Sequence, residues 1–342
     1  MRSQCLLIQH VLERLAAHHG IELHRTCEGF DDPLPGKEQG SGLREKGEEN
    51  MRDVSAENEQ QERGYEGGTF RERDDLVPLL TRKNYAAPSV FTVENLLREA
   101  RRQKRLPIGH VPSICVLDPD GDLVEHLHAT DRAHRCPTWA CYHTVLDTFV
   151  QDGMEVGIVG RVVGAPFAVL VAEELFASGC KLLVSITSAG QIISKGYPPY
   201  VVLIDRALRD EGTSYHYLPP SPYSSLDPIL RELLSSSWNH THVPLYTGAS
   251  WTTDAPFRET EAQIEWCREQ GILAVEMEAA ALYAFALAKQ REVICFAHVT
   301  NQMGQTEGDF EKGEASGSET ALHVISQTAQ HWNRWSHQRN QE

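Results

Sequence analysis

The sequence predicts an α/β fold, and three observations carry that prediction. From Gly153 onward, strand-length apolar runs alternate with helix-length ones: MEVGIVG, then AVLVAEELF, then KLLVSIT. A second unit, GILAVEMEAAALYAFAL (271–287), reads as strand, acidic turn and helix, because Ile272 to Val275 are apolar over strand length and an alanine-rich stretch of helix formers follows Glu278. Finally, 41% hydrophobic content across 342 residues supplies enough core for one large α/β domain or two small ones.

Composition narrows the function classes. The net charge of −16 and a pI near 5.5 argue against nucleic acid or an anionic membrane as partner. No run of eighteen apolar residues is present, so no membrane span is expected. The first twenty residues place Leu7, Val11 and Leu15 on one helical face among charges, which reads as an amphipathic helix rather than a secretory signal. Residues 21–75 are rich in Glu, Arg, Gly, Asn and Gln and too poor in apolar residues to offset the entropy of ordering, so a disordered charged linker is expected there. The ordered domain is expected at 76–338. Eight scattered cysteines without a C-x-x-C pair predict buried free thiols, a reducing compartment and a cytoplasmic location, not a zinc site.

Along the domain, Thr92 is an N-cap signal for the basic amphipathic helix VENLLREARRQKR. In SICVLDPDGDLVEHL, Ile114 to Leu117 form a buried strand and Asp118-Pro119-Asp120-Gly121 a turn. Those aspartates do not make a calcium loop, since Leu123 stands where glycine is required and Ala129 where a bidentate glutamate is required. They share the Asp118, Asp120 and Gly121 spacing with haloacid-dehalogenase-like phosphatases, but Asp122 replaces that family's threonine. After MEVGIVG come a turn at Gly160 to Pro166, a helix over Ala168 to Ala177 stopped by Gly179, and KLLVSITSAGQI as strand and glycine turn. VVLIDRALRDEG is a strand whose end carries Arg209, Asp210 and Glu211, with His216 beyond, all read as structural; Ser221 to His242 is read as loop. VICFAHVTNQMG is a further strand and turn. Leu322, Ile325, Ala329 and Trp332 then fall at helical spacing in a terminal helix lying on the sheet.

The acidic turn is where the chemistry is expected. Glu276 and Glu278 sit at the carboxyl end of a buried strand, the place where open α/β sheets bind ligands. An ionised carboxylate only accepts hydrogen bonds, so it can take two neighbouring sugar hydroxyls at once. The structural alternative is a capping pair at a helix start.

The Met277-Glu278-Ala279 core of this turn resembles the ribose-binding signature of the nucleoside phosphorylase family, the uridine and purine nucleoside phosphorylases with related nucleosidases. The block GAPFAVLVAEELFASGCKLLVSITSAGQI is similar to the same family, with a glycine-proline turn, a helix ending in Glu-Glu-Leu, and a strand entering a Gly-Thr-x-Gly-like turn. The resemblance covers about His110 to Trp332. It implies a single α/β domain with a twisted mixed β-sheet flanked by helices, in a homo-oligomer whose neighbouring subunit completes each site. His143, beside Tyr142, lies where such a residue would fall. It further implies that Glu278 holds the ribose hydroxyls, Met277 packs on the sugar and Glu276 supports them. Ser188, with Thr187 and Gly190, would bind phosphate.

Thr252-Thr253-Asp254 followed by an aromatic resembles the family's base-pocket wall, which makes Phe257 the stacking ring and Arg258 a cation for a base carbonyl or phosphate. Asp254 either contacts the base or caps this turn. Asn301 and Gln302 stand where hexameric purine phosphorylases have Ser-Asp, and an amide donates and accepts at once, which suits an oxo-base. The chain departs from the family at its phosphate cations. Leu117 replaces a glycine, Gly121 or Asp122 occupies an arginine position, and Ser185 stands where uridine phosphorylases have another arginine.

The activity implied is phosphorolysis of uridine or an oxopurine nucleoside to free base and ribose 1-phosphate. Glu278, Asn301 and Arg258 would be catalytic, phosphate the co-substrate, and neither metal nor organic cofactor needed. A nucleosidase using water and a non-catalytic nucleoside-binding protein are the other readings of the same residues.

Overall fold

The acidic turn lies at one end of a ten-stranded mixed sheet in the computed structural model, which describes residues 77–235, 244–303 and 307–339. The helix expected at 1–20 and the linker at 21–75 lie outside the described residues. In chain order the elements are α1 (Val93–Lys104), β1 (Ile114–Asp118), α2 (Asp122–Ala129), β2 (His134–Arg135), β3 (Asp147–Gln151), β4 (Met154–Gly160), α3 (Ala165–Ala177), β5 (Leu182–Gln191), β6 (Tyr200–Asp210), β7 (Tyr223–Ser225), α4 (Pro228–Ser235), β8 (Leu245–Thr253), α5 (Glu261–Glu269), β9 (Ile272–Glu276), α6 (Ala279–Lys289), β10 (Glu292–Asn301) and α7 (Ser318–Arg339). Among the described residues no helix is long and apolar enough to cross a membrane.

Strand β5 organises the sheet. One of its edges carries β1 in parallel, Ile114 opposite Leu182 to Leu117 opposite Ser185, and then β9 antiparallel at Gly190 and Gln191. The other edge carries β10 in parallel from Leu182 to Gly190. Strand β10 continues antiparallel to β6, β6 parallel to β8, and β8 parallel to β9, which returns to β5. Five strands therefore close into a ring, while β1, β4, β3 and β2 extend from β5 as an open wing. Strands paired and covered on both sides need apolar residues throughout, which is why β1, β5 and β10 lack the alternation of a half-exposed strand.

The helices follow the same logic. In α3, Ala165, Ala168, Val169, Val171, Ala172, Leu175 and Phe176 are buried, and α6 buries every residue from Ala279 to Phe285, so the two small-residue helices pack on one another and on the sheet. Helix α7 buries the expected stripe, including Leu322, Ile325, Ala329 and Trp332. The Thr92 side chain accepts the Asn95 N–H at 3.4 Å and caps α1. Six cysteines, at 115, 136, 141, 180, 267 and 295, are free and buried, while Cys5 and Cys27 lie outside the described residues.

Three local readings change. Thr187, Ser188 and Gly190 are not in a glycine turn: β5 runs through them to Gln191, because β10 and β9 pair with this stretch. The segment 221–242 is not loop throughout, since it contains β7 and α4. Helix α5 also goes unread in the sequence although its signal is present. Thr260 and Gln263 form a reciprocal capping box, Thr260 accepting the Gln263 N–H and the Gln263 side chain accepting the Thr260 N–H.

Candidate active site

The carboxyl ends of β1, β5, β9 and β10 converge, and the start of α3 faces the acidic turn. Glu276, the last residue of β9, is 3% exposed and its carboxylate is fully engaged. Oε1 accepts the hydroxyls of Ser250 (3.0 Å) and Thr252, and Oε2 accepts the N–H groups of Glu278 (2.8 Å) and Ala279 (2.7 Å). Glu276 is thus the carboxylate that closes the amino end of α6, where four donors and the helix dipole favour negative charge. Expected beside the ribose as a supporting acid, it is turned inward.

Glu278 is different. It is 1% exposed, its Oε1 accepts the Gly164 N–H at 2.6 Å, and its Oε2 is buried without a hydrogen-bond partner. It does not cap the helix that follows it. Burial, then the nearby Glu276 charge, push its carboxyl up to about 8, against the Gly164 N–H and the Thr187 hydroxyl. Burial also raises Glu276. With four donors on Glu276 and, besides the nearby Thr187 hydroxyl, only the Gly164 N–H on Glu278, the first negative charge of the pair belongs on Glu276 and the proton on Glu278. Met277, between them, is half-buried.

The expected phosphate residues meet a carboxylate of the chain itself. Ser188 donates both its N–H (3.2 Å) and its hydroxyl to Asp120, the middle acid of the turn between β1 and α2. Lys312 bridges Asp120 (3.3 Å) and Asp122. The buried Asp118 accepts the Val124 N–H at 3.0 Å, and burial pushes its carboxyl up to about 6. His298, on β10, is 6% exposed with an unpartnered Nε2; burial pushes its imidazole down to about 4. Asp118, Asp120, Asp122, Thr187, Ser188 and His298 share a niche of about 20 Å³, closed partly by Ser316 to Ser318. Gly317 lies against His298, so closely that a Cβ there would stand 2.3 Å from Cε1.

Gly190 has a steric task. It is in register with Val275 on one side and Asn301 on the other, and a Cβ would stand 2.6 Å from the Met303 sulfur. Asn301 closes β10, its Oδ1 accepting the Met303 N–H at 3.0 Å, while the Gln302 N–H donates to Asp309. On the base side, Phe257 is 99% exposed and Arg258 is exposed in a short 3-10 turn after β8, the strand whose Thr252 is in register with Glu276. Asp254 caps no helix: its carboxylate accepts the Gly212 N–H at 2.8 Å and ties the end of β6 to that of β8. His143 is exposed, its N–H donating to the Cys141 sulfur, next to Tyr142, whose hydroxyl donates to Gln103.

Sequence reasoning missed Gly164, His298 and Lys312 as members of this cluster, and weighed Asp120 only as a turn residue and in the phosphatase and calcium-loop spacings. The DPDGD acids were a signal. For Lys312 there was none, because it lies 192 residues from Asp120.

Residues 113–329 match a family model described as the Phosphorylase superfamily. Guanosine phosphorylase of Halorubrum lacusprofundi is 27% identical over 143 residues, which are 40% of this chain and 57% of that protein, so the match spans little more than half of that relative. Among solved structures, uridine phosphorylase from Vibrio fischeri ES114, complexed with 6-hydroxy-1-naphthoic acid, superposes with a TM-score of 0.56 at 19% identity, covering 67% of this chain and 98% of its own. Purine nucleoside phosphorylase from Toxoplasma gondii, in complex with immucillin-H, superposes with a TM-score of 0.54 at 16% identity, covering 64% and 90%. At these identities the two structural likenesses are likenesses of fold.

Proposed function

This chain belongs to the phosphorylase superfamily, and on that premise we propose that it cleaves the N-glycosidic bond of an oxo-base nucleoside, uridine or an oxopurine nucleoside, by ribosyl transfer. The observation that carries this reading is Glu278. Its Oε2 is a buried oxygen without a hydrogen-bond partner, two residues from a carboxylate that already holds the adjacent helix end. A ribose hydroxyl is the kind of donor that satisfies it.

Cleavage passes through an oxocarbenium-like ribose, so the protein must hold the sugar, favour positive charge at C1′ and stabilise the leaving base. Glu278 serves the first two tasks as an ionised carboxylate, with Met277 against the sugar. Asn301 and Gln302 offer amides to the base carbonyl and its neighbouring nitrogen. Arg258 adds a positive charge on the same side, and Phe257 stacks on the base, worth about 1–3 kcal/mol. His143 of a neighbouring copy is the proposed outer contact in a homo-oligomer.

Two acceptors for the ribosyl group suit this site. Phosphate is favoured by the resemblance and by the Ser188 N–H and hydroxyl; water is favoured by Asp120, which already holds both of those donors.

The test is release of free base from uridine, inosine and adenosine by the full chain, with and without inorganic phosphate. Release from at least one oxo-base nucleoside is expected, with Glu278→Ala slowing it about 10²–10³-fold, the usual effect of removing one preorganised polar contact to a transition state. A protein that binds these nucleosides and leaves them intact would overturn the proposal.

A further inference from the structure

We infer that Asp120 selects the ribosyl acceptor at this site, excluding phosphate and leaving a place for water. The inference rests on the glycosidic-cleavage reading above and goes beyond it to a residue. Four observations support it.

The first is occupancy. The N–H and hydroxyl of Ser188 are the donors a phosphate oxygen needs, and both already donate to the Asp120 carboxylate. An anion of this chain fills the position of an anionic substrate.

The second is charge. Asp118, Asp120 and Asp122 surround the niche, and Lys312, a cation beside it, is paired with two of them. A phosphate dianion entering here meets carboxylates with their lysine already neutralised, and like charges at close range repel strongly.

The third is size. The niche holds about 20 Å³. One water needs roughly 10–15 Å³ of such space together with polar partners, so the enclosed part of the niche is of the size for a single water.

The fourth is partner chemistry. His298 lines the niche with a buried, unpartnered Nε2, beside the Thr187 and Ser188 hydroxyls and the acidic oxygens. Water both donates and accepts and so answers a wall of mixed polarity, whereas a phosphate dianion only accepts.

The niche and Glu278 meet at Thr187, which lines the niche and whose hydroxyl lies close enough to the Glu278 carboxyl to favour its ionised form. A nucleophile held there is next to the residue assigned to the ribose. In the step itself, the water oxygen bonds to C1′ as the C1′–N bond breaks, and the bond's electron pair leaves with the base. One water proton ends on the base, so the products are free ribose and free base.

The experiment compares the full-length wild type with Asp120→Asn and Asp120→Ala, following base release with and without inorganic phosphate and separating ribose from ribose 1-phosphate. The wild type should release ribose at a rate that phosphate does not change. The variants should become phosphate-dependent, with at least a tenfold stimulation and ribose 1-phosphate among the products. A wild type that needs phosphate, or variants that remain indifferent to it, would overturn the inference.

A second readout keeps the inference separate from the catalytic reading. Phosphate alone should raise the thermal unfolding midpoint of Asp120→Asn, a near-isosteric change that preserves the turn, and leave the wild type unmoved. Phosphate protection of the wild type sinks the inference even if no nucleoside is cleaved. Protection confined to the variant supports it even if the proposed activity fails.

Discussion

Glu276 and Glu278 are two residues apart and chemically identical, yet their surroundings give them different tasks. Glu276 is saturated by two hydroxyls and two helix N–H groups, and Glu278 has one N–H donor and one oxygen to spare. Because burial and its acidic neighbour raise Glu278 to about 8, the free protein keeps it protonated at neutrality. In the proposed reaction the ionised form is the one that favours positive charge on the ribose. We therefore expect kcat/KM for base release to rise with pH through an apparent pKa near 8. Glu278→Gln should be slow at all pH values and lack that rise. A rise of the same midpoint in the variant would assign the ionisation to another group. That Glu278 is set apart from Glu276 was partly legible, because the Met-Glu-Ala pattern singles it out. The donors on Glu276 were not legible, since Ser250 and Thr252 come from a strand about 25 residues earlier in the chain.

At the scale of elements, the acidic turn works because β9 delivers Glu276 directly under the first turn of α6. Replacing Glu276 with alanine removes the acceptor for the Glu278 and Ala279 N–H groups and for the Ser250 and Thr252 hydroxyls, all in buried surroundings. At about 1–3 kcal/mol for each buried group left without a partner, partly relieved by relaxation, the expected loss is about 3 kcal/mol or more in urea unfolding. A loss under about 1 kcal/mol would show that the carboxylate does not hold this helix end. Strand β5 illustrates what local sequence conceals. The letters Thr-Ser-Ala-Gly suggest a turn, but β10 on one edge and β9 on the other supply pairing that keeps the backbone extended. Gly190 is then needed for close approach to Met303 rather than for a bend. Helix α5 was legible through its capping box, whereas β7 and α4 were not, their short runs becoming regular only when docked on β6 and α7.

For the whole molecule, the buried titratable groups predict how stability depends on pH. Glu278 is raised to about 8 from 4.5, Glu259 to about 7 from 4.5, and Asp118 to about 6 from 3.8, in each case chiefly by burial. An acid raised on folding stabilises fully below its unfolded pKa, and that contribution is lost as pH climbs through the folded value. His298 has the opposite sign. Lowered to about 4 from 6.5, it contributes above pH 6.5 and loses that contribution as pH falls towards 4. Between pH 6.5 and 8.5 the His298 contribution rises only by the last small part, about 0.4 kcal/mol, while Glu278 and Glu259 continue to deprotonate at a larger cost. The urea midpoint should therefore be lower at pH 8.5 than at pH 6.5, and Glu278→Gln should narrow that gap. An unchanged gap in the variant would mean that Glu278 ionises no later than an exposed glutamate.

The sequence by itself determined the α/β alternation, the apolar strands buried on both faces, the alanine-rich helix behind the acidic turn, the terminal helix and the glutamate pair. All of these are written in residues close together in the chain, where periodicity and propensity act. Only the tertiary structure decided that five strands close into a ring, that Ser188 faces Asp120 from 68 residues away, and that Lys312 reaches back 192 residues to pin that aspartate. Hydrogen bonds and charges act through space over a few ångströms, so the chemistry of this site depends on which distant segments the sheet brings into register, and no local pattern records that.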